Sequence, residues 1–272
     1  MNWFGAVQIS EVIVVSLKDD TDRRAHVACH FADRGIEGWR FLDAIPAEDD
    51  AVKNVYREGH VAPFPPCFRC GRETSCTCAN NVLIPSQVAN WLSFKALWHE
   101  AAKANGLILA CEDDVWFAPE AMPRLDELLT RLGAGVMRTP FLLRLGQSGI
   151  DPESITHEVL KPLSTTQKVQ MSNVAHVMNR EMALLLLAEF QRIATTSDTW
   201  IHNEMASRPD VTALTADPLL ATDLSYNATH AKFLSRIHPK GISEADKERA
   251  RTHIKRCEDT DDYARRLEQW IA

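Results

Sequence analysis

The sequence predicts an α/β protein built on a Rossmann-like central sheet flanked by helices, and three observations predict it. Glu11 to Leu17, EVIVVSL, is short, β-branched and nearly continuous in apolar character, as a strand covered on both faces must be. The stretch DDTDRRAHVACHFADRG then carries helical spacing, and WRFLDAI returns to strand character, so the chain opens as a βαβ unit. Further on, LILACEDDVWF, Leu107 to Phe117, drives a second apolar strand straight into Glu112, Asp113 and Asp114.

In the first helix, Asp20 and Thr21 are capping candidates, Ala25, Ala28, Cys29, Phe31 and Ala32 form an apolar stripe, and Gly35 is a stop. From Pro46 to Leu83 the pattern dissolves into acids, prolines and cysteines, which reads as a loop or an inserted module. Order returns at PSQVANWLSFKALWHEAAKANG. There Pro85 fits a first turn, Val88, Trp91, Leu92 and Trp98 share a face, and Asn105-Gly106 closes the helix. APEAMPRLDELLTRLG is a helix interrupted or restarted near Pro123, and FLLRLG is a strand. Leu163 to Met171 reads as an exposed loop, NVAHVMN as a strand, REMALLLLAEFQRIA as a mostly buried helix and DTWIHNEMASR as a short one. The charged tail from Ser243 reads as helical. The expected division is a domain over 1–240, including a Cys-rich insertion at 60–82, and a helical extension over 241–272.

At 272 residues the chain can bury one full core, alone or with a small appendage. A formal net charge of -7 without any basic block gives no electrostatic footprint for nucleic acid, so none is expected as a partner. The opening residues lack a basic n-region and a cleavage site. No apolar run approaches the roughly 18–20 residues of a spanning helix, so no membrane span and a cytoplasmic location are expected. Cys29, Cys111 and Cys257 lie apart, in segments that read as helix, strand and helix, and are expected as reduced thiols.

Three carboxylates within about 10 Å of extended chain repel one another and lose solvation unless water, donors or a cation sits among them. At the carboxyl edge of an open α/β sheet, where ligands bind, hard oxygen ligands suit Mg²⁺ or Mn²⁺. A divalent ion there could bridge the diphosphate of a nucleotide-sugar donor. The alternative is a solvated strand end whose acids cap a following helix.

VVSLKDDTDRR, FLDAI, LSFKALW, LILACEDDVWF, NVAHVMNREMALLLL and TSDTW occur in the order and approximate spacing of glycosyltransferase family 25, the lipooligosaccharide and procollagen galactosyltransferase group. The resemblance spans roughly Val12 to Trp200. It implies a glycosyltransferase A fold, with a mixed central sheet, a UDP-sugar donor (possibly of galactose), a Mn²⁺ or Mg²⁺ ion at the acid motif, a glycan or other hydroxyl acceptor, and an inverting displacement. By the same resemblance Glu112 and Asp114 would contact donor ribose and metal, with Asp113 between them, and Ser16, Leu17, Arg23 and Arg24 would lie near the nucleotide. Arg23 and Arg24 could equally pair with Asp19 or Asp20.

Asp198 matches the family's later acid and would take the proton of the attacking hydroxyl; its alternative role is helix capping. The chain departs from the family where Gly-Cys and Ser-His are usual, having Ala89-Asn90 and Ser93-Phe94 with Trp98 retained. It departs again at His176, where a Tyr is typical. These departures leave room for a catalytically silent member that binds a glycan or protein. The acids alone would also fit a metal-dependent phosphohydrolase or nucleotidyl enzyme.

CFRCGRETSCTC gives C-x2-C-x5-C-x-C. Cys67, Cys70, Cys76 and Cys78 as four thiolates would bind a structural Zn²⁺ that staples a loop lacking a core of its own. Redox or disulfide chemistry and unligated thiols are the alternatives. His99 and His157 read as surface residues, while His202, His230 and His238 lie downstream of Asp198, where many enzymes of this fold provide a final metal ligand.

Overall fold

The computed structural model describes residues 9–62, 83–155, 163–164, 172–225, 232–233 and 269–272. Its strands are β1 (Ile9–Leu17), β2 (Trp39–Ala44), β3 (Leu107–Glu112), β4 (Val115–Phe117), β5 (Phe141–Arg144), β6 (Gly146–Gln147), β7 (Leu163–Ser164), β8 (Ala175–Met178), β9 (Thr212–Thr215) and β10 (Ala221–Asp223). Its helices are α1 (Thr21–Asp33), α2 (Asp50–Arg57), α3 (Pro85–Ala101), α4 (Ala121–Leu132), α5 (Arg180–Glu189) and α6 (Ser197–Thr199). α6 continues as a π turn over Trp200–Glu204 and a 3-10 turn over Met205–Ser207. None of the described helices is long and apolar enough to cross a membrane.

Seven strands make one mixed sheet in the order β2-β1-β3-β8-β5-β9-β7. β1 is parallel to β2 and β3, β8 runs antiparallel to both β3 and β5, and β9 is parallel to β5. With β8 as the reversed strand between them, β3 and β5 point the same way. The carboxyl ends of β1, β2, β3, β5 and β9 therefore meet at one edge, and β8 begins there, with Ala175 beside Cys111 and His176 beside Arg144.

Alternation along the strands explains the unbroken apolar runs. Val12, Val14, Leu107, Leu109 and Cys111 pack with Val27 and Phe31 of α1 and with Leu125 and Leu128 of α4. Ile13, Val15, Ile108 and Ala110 pack on the other face with Val88, Trp91 and Trp98 of α3 and with Met182 and Leu186 of α5. Each such side chain, fully buried, contributes about 1.5–3 kcal/mol before entropy is counted.

A second sheet, in the order β4-β10-β6, stands beside this edge. Gly146 is required where β6 passes the start of β8, because a Cβ there would lie 2.3 Å from Val174 Cγ1 and 3.0 Å from the Ala221 carbonyl oxygen. Side chains of α1 satisfy backbone groups of β4. His26 Nε2 lies 3.1 Å from the Val115 oxygen, His30 Nε2 accepts from the Phe117 amide at 2.8 Å, and Arg34 Nε donates to the Phe117 oxygen at 3.0 Å.

Five sequence expectations are corrected. The buried residues of α1 are Arg23, His26, Val27, His30 and Phe31, whereas Ala25, Ala28, Cys29 and Ala32 are exposed; the face was set by partners on β4 rather than by apolarity. Within Pro46 to Leu83, Asp50–Arg57 is helical, started by Asp49, whose carboxylate accepts from the Ala51 amide. α3 stops at Ala101, ahead of Asn105-Gly106. Leu163–Ser164, read as loop, is the strand β7. α5 buries only Met182, Ala183 and Leu186, and Leu184 is exposed. Cys67, Cys70, Cys76 and Cys78, with the zinc expected on them, lie outside the described residues, as do Cys257, His157, His230 and His238.

Candidate functional site at the carboxyl edge of the sheet

β3 ends on Glu112, and Asp113-Asp114 turn the chain into β4. A strand follows the three acids, so they cap no helix. The Glu112 amide donates to the Val174 oxygen at 3.0 Å and the Leu224 amide to the Asp114 oxygen at 2.9 Å. β10 pairs Asp223 with Val115, which brings a fourth carboxylate alongside.

Asp113 and Asp114 are buried and share one guanidinium. Arg23 Nη1 lies 2.6 Å from Asp113 Oδ1 and 3.4 Å from Asp114 Oδ2, and Nη2 donates to Ser225 Oγ at 2.8 Å. Ser225 in turn donates to Asp114 Oδ2. Asp20, the residue that precedes α1, caps nothing with its side chain; its carboxylate stands 3.5 Å from Arg23 Nε. Asp114 Oδ1 is buried with no hydrogen-bond partner among the described residues.

Burial, reinforced by Asp114, Asp198, Asp223 and Asp113, lifts Glu112 well above the ordinary glutamate range. Burial also raises Asp113 and Asp114 although Arg23 opposes it, and the Ser16 hydroxyl helps hold the Asp113 charge. Burial alone would lower Arg23, but Asp114, Asp113 and Asp20 outweigh it and keep the guanidinium above its usual value.

Arg24 points elsewhere. It donates to the Leu17 oxygen at 3.1 Å, to the Ser16 oxygen at 3.0 Å and to Asp43 at 2.5 Å, with its guanidinium 4.5 Å from the Phe41 ring centre. It fastens the ends of β1 and β2 together, and Ser16 and Leu17 line that junction.

Asp198 lies inside the first turn of α6, whose N-cap is Thr196, so capping is not its role; its Oδ1 accepts from the Thr199 amide at 2.8 Å. Behind it, Ser197 Oγ donates to Asn90 Oδ1 at 2.6 Å and accepts from Asn173 Nδ2 at 3.0 Å. Asn173 Oδ1 faces His202 Nε2 at 3.2 Å, which fixes the His202 tautomer with its proton on Nε2. His202 meets His176 edge to face at 5.2 Å, and His176 stacks on Phe94 at 6.2 Å. The two departures at 94 and 176 are thus ring neighbours, and Asn90 serves the same network.

Burial, helped by Arg144, pushes His176 down to about 3 and His202 well below its usual value. Burial lowers Arg144 to about 10 against the pull of Asp198. His99 is exposed on α3.

Among the described residues, no group of three or more His, Cys, Asp or Glu side chains is arranged to hold a metal ion unaided. Asp113 and Asp114 are turned onto Arg23 instead. The glycosyltransferase family 25 pattern, described as an LPS biosynthesis protein family, matches residues 9–201. This chain belongs to glycosyltransferase family 25. The match spans Ser16, Leu17, Arg23, Arg24, the four clustered cysteines, Glu112, Asp113, Asp114 and Asp198, and it makes the chain a transferase that implies a sugar donor and an acceptor. No curated protein matches the chain in sequence. Among solved structures, the inositol-1-phosphate CTP transferase from T. maritima is similar at 12% identity, with a TM-score of 0.37, over 93% of this chain and 98% of that one.

Asp223 and Ser225 lie beyond the family match, and nothing local in the sequence marks them. Arg144, Asn173 and Asn90 were also missed. The departure from the family pattern at Asn90 was the one available signal among these.

Proposed function

We propose that this chain transfers a sugar from a UDP-sugar donor to a hydroxyl of a glycan or other acceptor, with a divalent cation, by inversion. One observation carries the reading: a buried carboxylate oxygen without a hydrogen-bond partner among the described residues, Asp114 Oδ1, in an acid turn at the carboxyl edge of the sheet of a family 25 domain.

Asp114, with Glu112 at the strand end, would hold Mn²⁺ or Mg²⁺. Such an ion usually takes one or two carboxylates and completes its shell with phosphate and water. Bound there, the cation supplies charge neutralisation for the departing nucleoside diphosphate. Glu112 and Asp113 would orient the donor, and Ser16 and Leu17 would border the nucleotide.

Asp198 would accept the proton of the acceptor hydroxyl as the oxygen attacks the anomeric carbon. The influence of Asp198 on Glu112 supports its standing within electrostatic reach of the acid turn. The network of Asn90, Ser197, Asn173 and His202 would steady the turn that carries it.

A screen of UDP, GDP and CMP sugars for Mn²⁺-dependent hydrolysis tests the reading, because slow loss of sugar to water identifies a donor before any acceptor is known. Hydrolysis confined to UDP-sugars and lost without Mn²⁺ supports it. Binding of a glycan or protein with no donor turnover favours the silent member instead.

A further inference from the structure

Arg23 is the cation that the acid turn holds. Its side chain is 8% exposed, its Nη1 lies 2.6 Å from Asp113 Oδ1 and 3.4 Å from Asp114 Oδ2, and Ser225 closes the ring between Nη2 and Asp114 Oδ2. Phe233 covers the guanidinium at 5.3 Å. The other oxygen of Asp114 has no hydrogen-bond partner among the described residues. A divalent ion on that oxygen would share one carboxylate with a guanidinium, and in a poorly screened site two such positive charges repel strongly.

We propose that Arg23 is a built-in counter-ion that holds the divalent cation off Asp114 until a diphosphate arrives, so that cation and nucleotide diphosphate bind with positive coupling. This rests on the donor reading of the same turn. A diphosphate adds negative charge and offers a planar guanidinium a two-pronged partner, which the paired acids otherwise provide. Arg23 then gives up Asp113 and Asp114 to the cation and turns to phosphate, with Asp20 and Ser225 at its Nε and Nη2. Coupling of this kind is reciprocal: Mn²⁺ tightens UDP by the factor with which UDP tightens Mn²⁺.

The test is calorimetric titration of Mn²⁺ with and without UDP, on the wild type, Arg23→Gln and Arg23→Lys. In the wild type UDP should tighten Mn²⁺ by about tenfold or more. In Arg23→Gln, Mn²⁺ alone should bind about tenfold more tightly than in the wild type and UDP should add little, while Arg23→Lys, which keeps the charge but not the two-pronged geometry, should hold Mn²⁺ off as the wild type does and be tightened less by UDP. Should Arg23→Gln not fold, Arg23→Gln with Asp113→Asn removes one charge of each sign and is expected to give the same result. Mn²⁺ affinity that is unchanged or weaker without Arg23, alongside intact UDP-dependent Mn²⁺ binding in the wild type, overturns this inference and leaves the donor reading standing. No Mn²⁺ binding to any of these proteins at any UDP concentration overturns both.

Discussion

The two flanks of the sheet edge are balanced in opposite ways. On the α1 flank, Asp113 and Asp114 share Arg23, with Asp20 at its Nε, and burial raises both aspartates. On the α3 flank, Asn90, Ser197, Asn173 and His202 form a neutral hydrogen-bonded chain, and the His202 ring meets that of His176 edge to face. The first flank concentrates buried negative charge; the second has its geometry fixed beforehand. The proposed function would draw on both, one to recruit a cation and the other to aim a base, with Glu112 at the end of β3 in reach of Asp198.

The flanks also respond oppositely to acid. A carboxylate whose folded pKa is raised binds more protons folded than unfolded, so the α1 acids cost stability as pH rises above their unfolded values near 4. A histidine held neutral by burial does the reverse. The unfolded chain takes up its proton below about 6.5, so stability is lost as pH falls from there toward the folded value.

The largest expected effect that sharpens the contrast is on turnover. Asp198→Asn should lower kcat by about 10²–10⁴-fold while Mn²⁺-dependent UDP binding stays, since the base acts on the acceptor and not on the donor. Loss of UDP binding in this variant would break the division of labour. Next, Ser197→Ala should lower kcat by about tenfold with the donor KM unchanged, and Asn90→Ala should do the same, as removal of one positioning contact does. An equal change in donor KM would place that chain on the binding side instead. The smallest effect is on stability. His176→Phe, beside Phe94, should gain on the wild type as pH is lowered from 6.5 toward 3, by at most ~1.4 kcal/mol per pH unit, in denaturant unfolding. A pH-independent difference would mean His176 is not held neutral.

What the sequence disclosed was local. The β1–α1–β2 opening and the apolar strand running into Glu112, Asp113 and Asp114 were readable because periodicity and residue type act over a few neighbouring positions. The acid turn's partners were not, since Asp223 and Ser225 reach it through a small sheet formed 110 residues later in the chain. α1 misled for a related reason. His26 and His30 look like surface residues by hydrophobicity, yet they are buried because β4 offers backbone groups for them to bond. Arg23 was expected near the nucleotide from family resemblance, and its grip on Asp113 could only be seen once β1 and β3 lay side by side.

The central claim, that the acid turn binds a divalent cation together with a nucleotide diphosphate, is tested most directly by titrating UDP into the wild type and Asp114→Asn with and without Mn²⁺. The account predicts saturable binding by the wild type in Mn²⁺ that falls by about 100-fold or more either without the ion or with Asn at position 114. UDP binding of equal strength in all four conditions would contradict it.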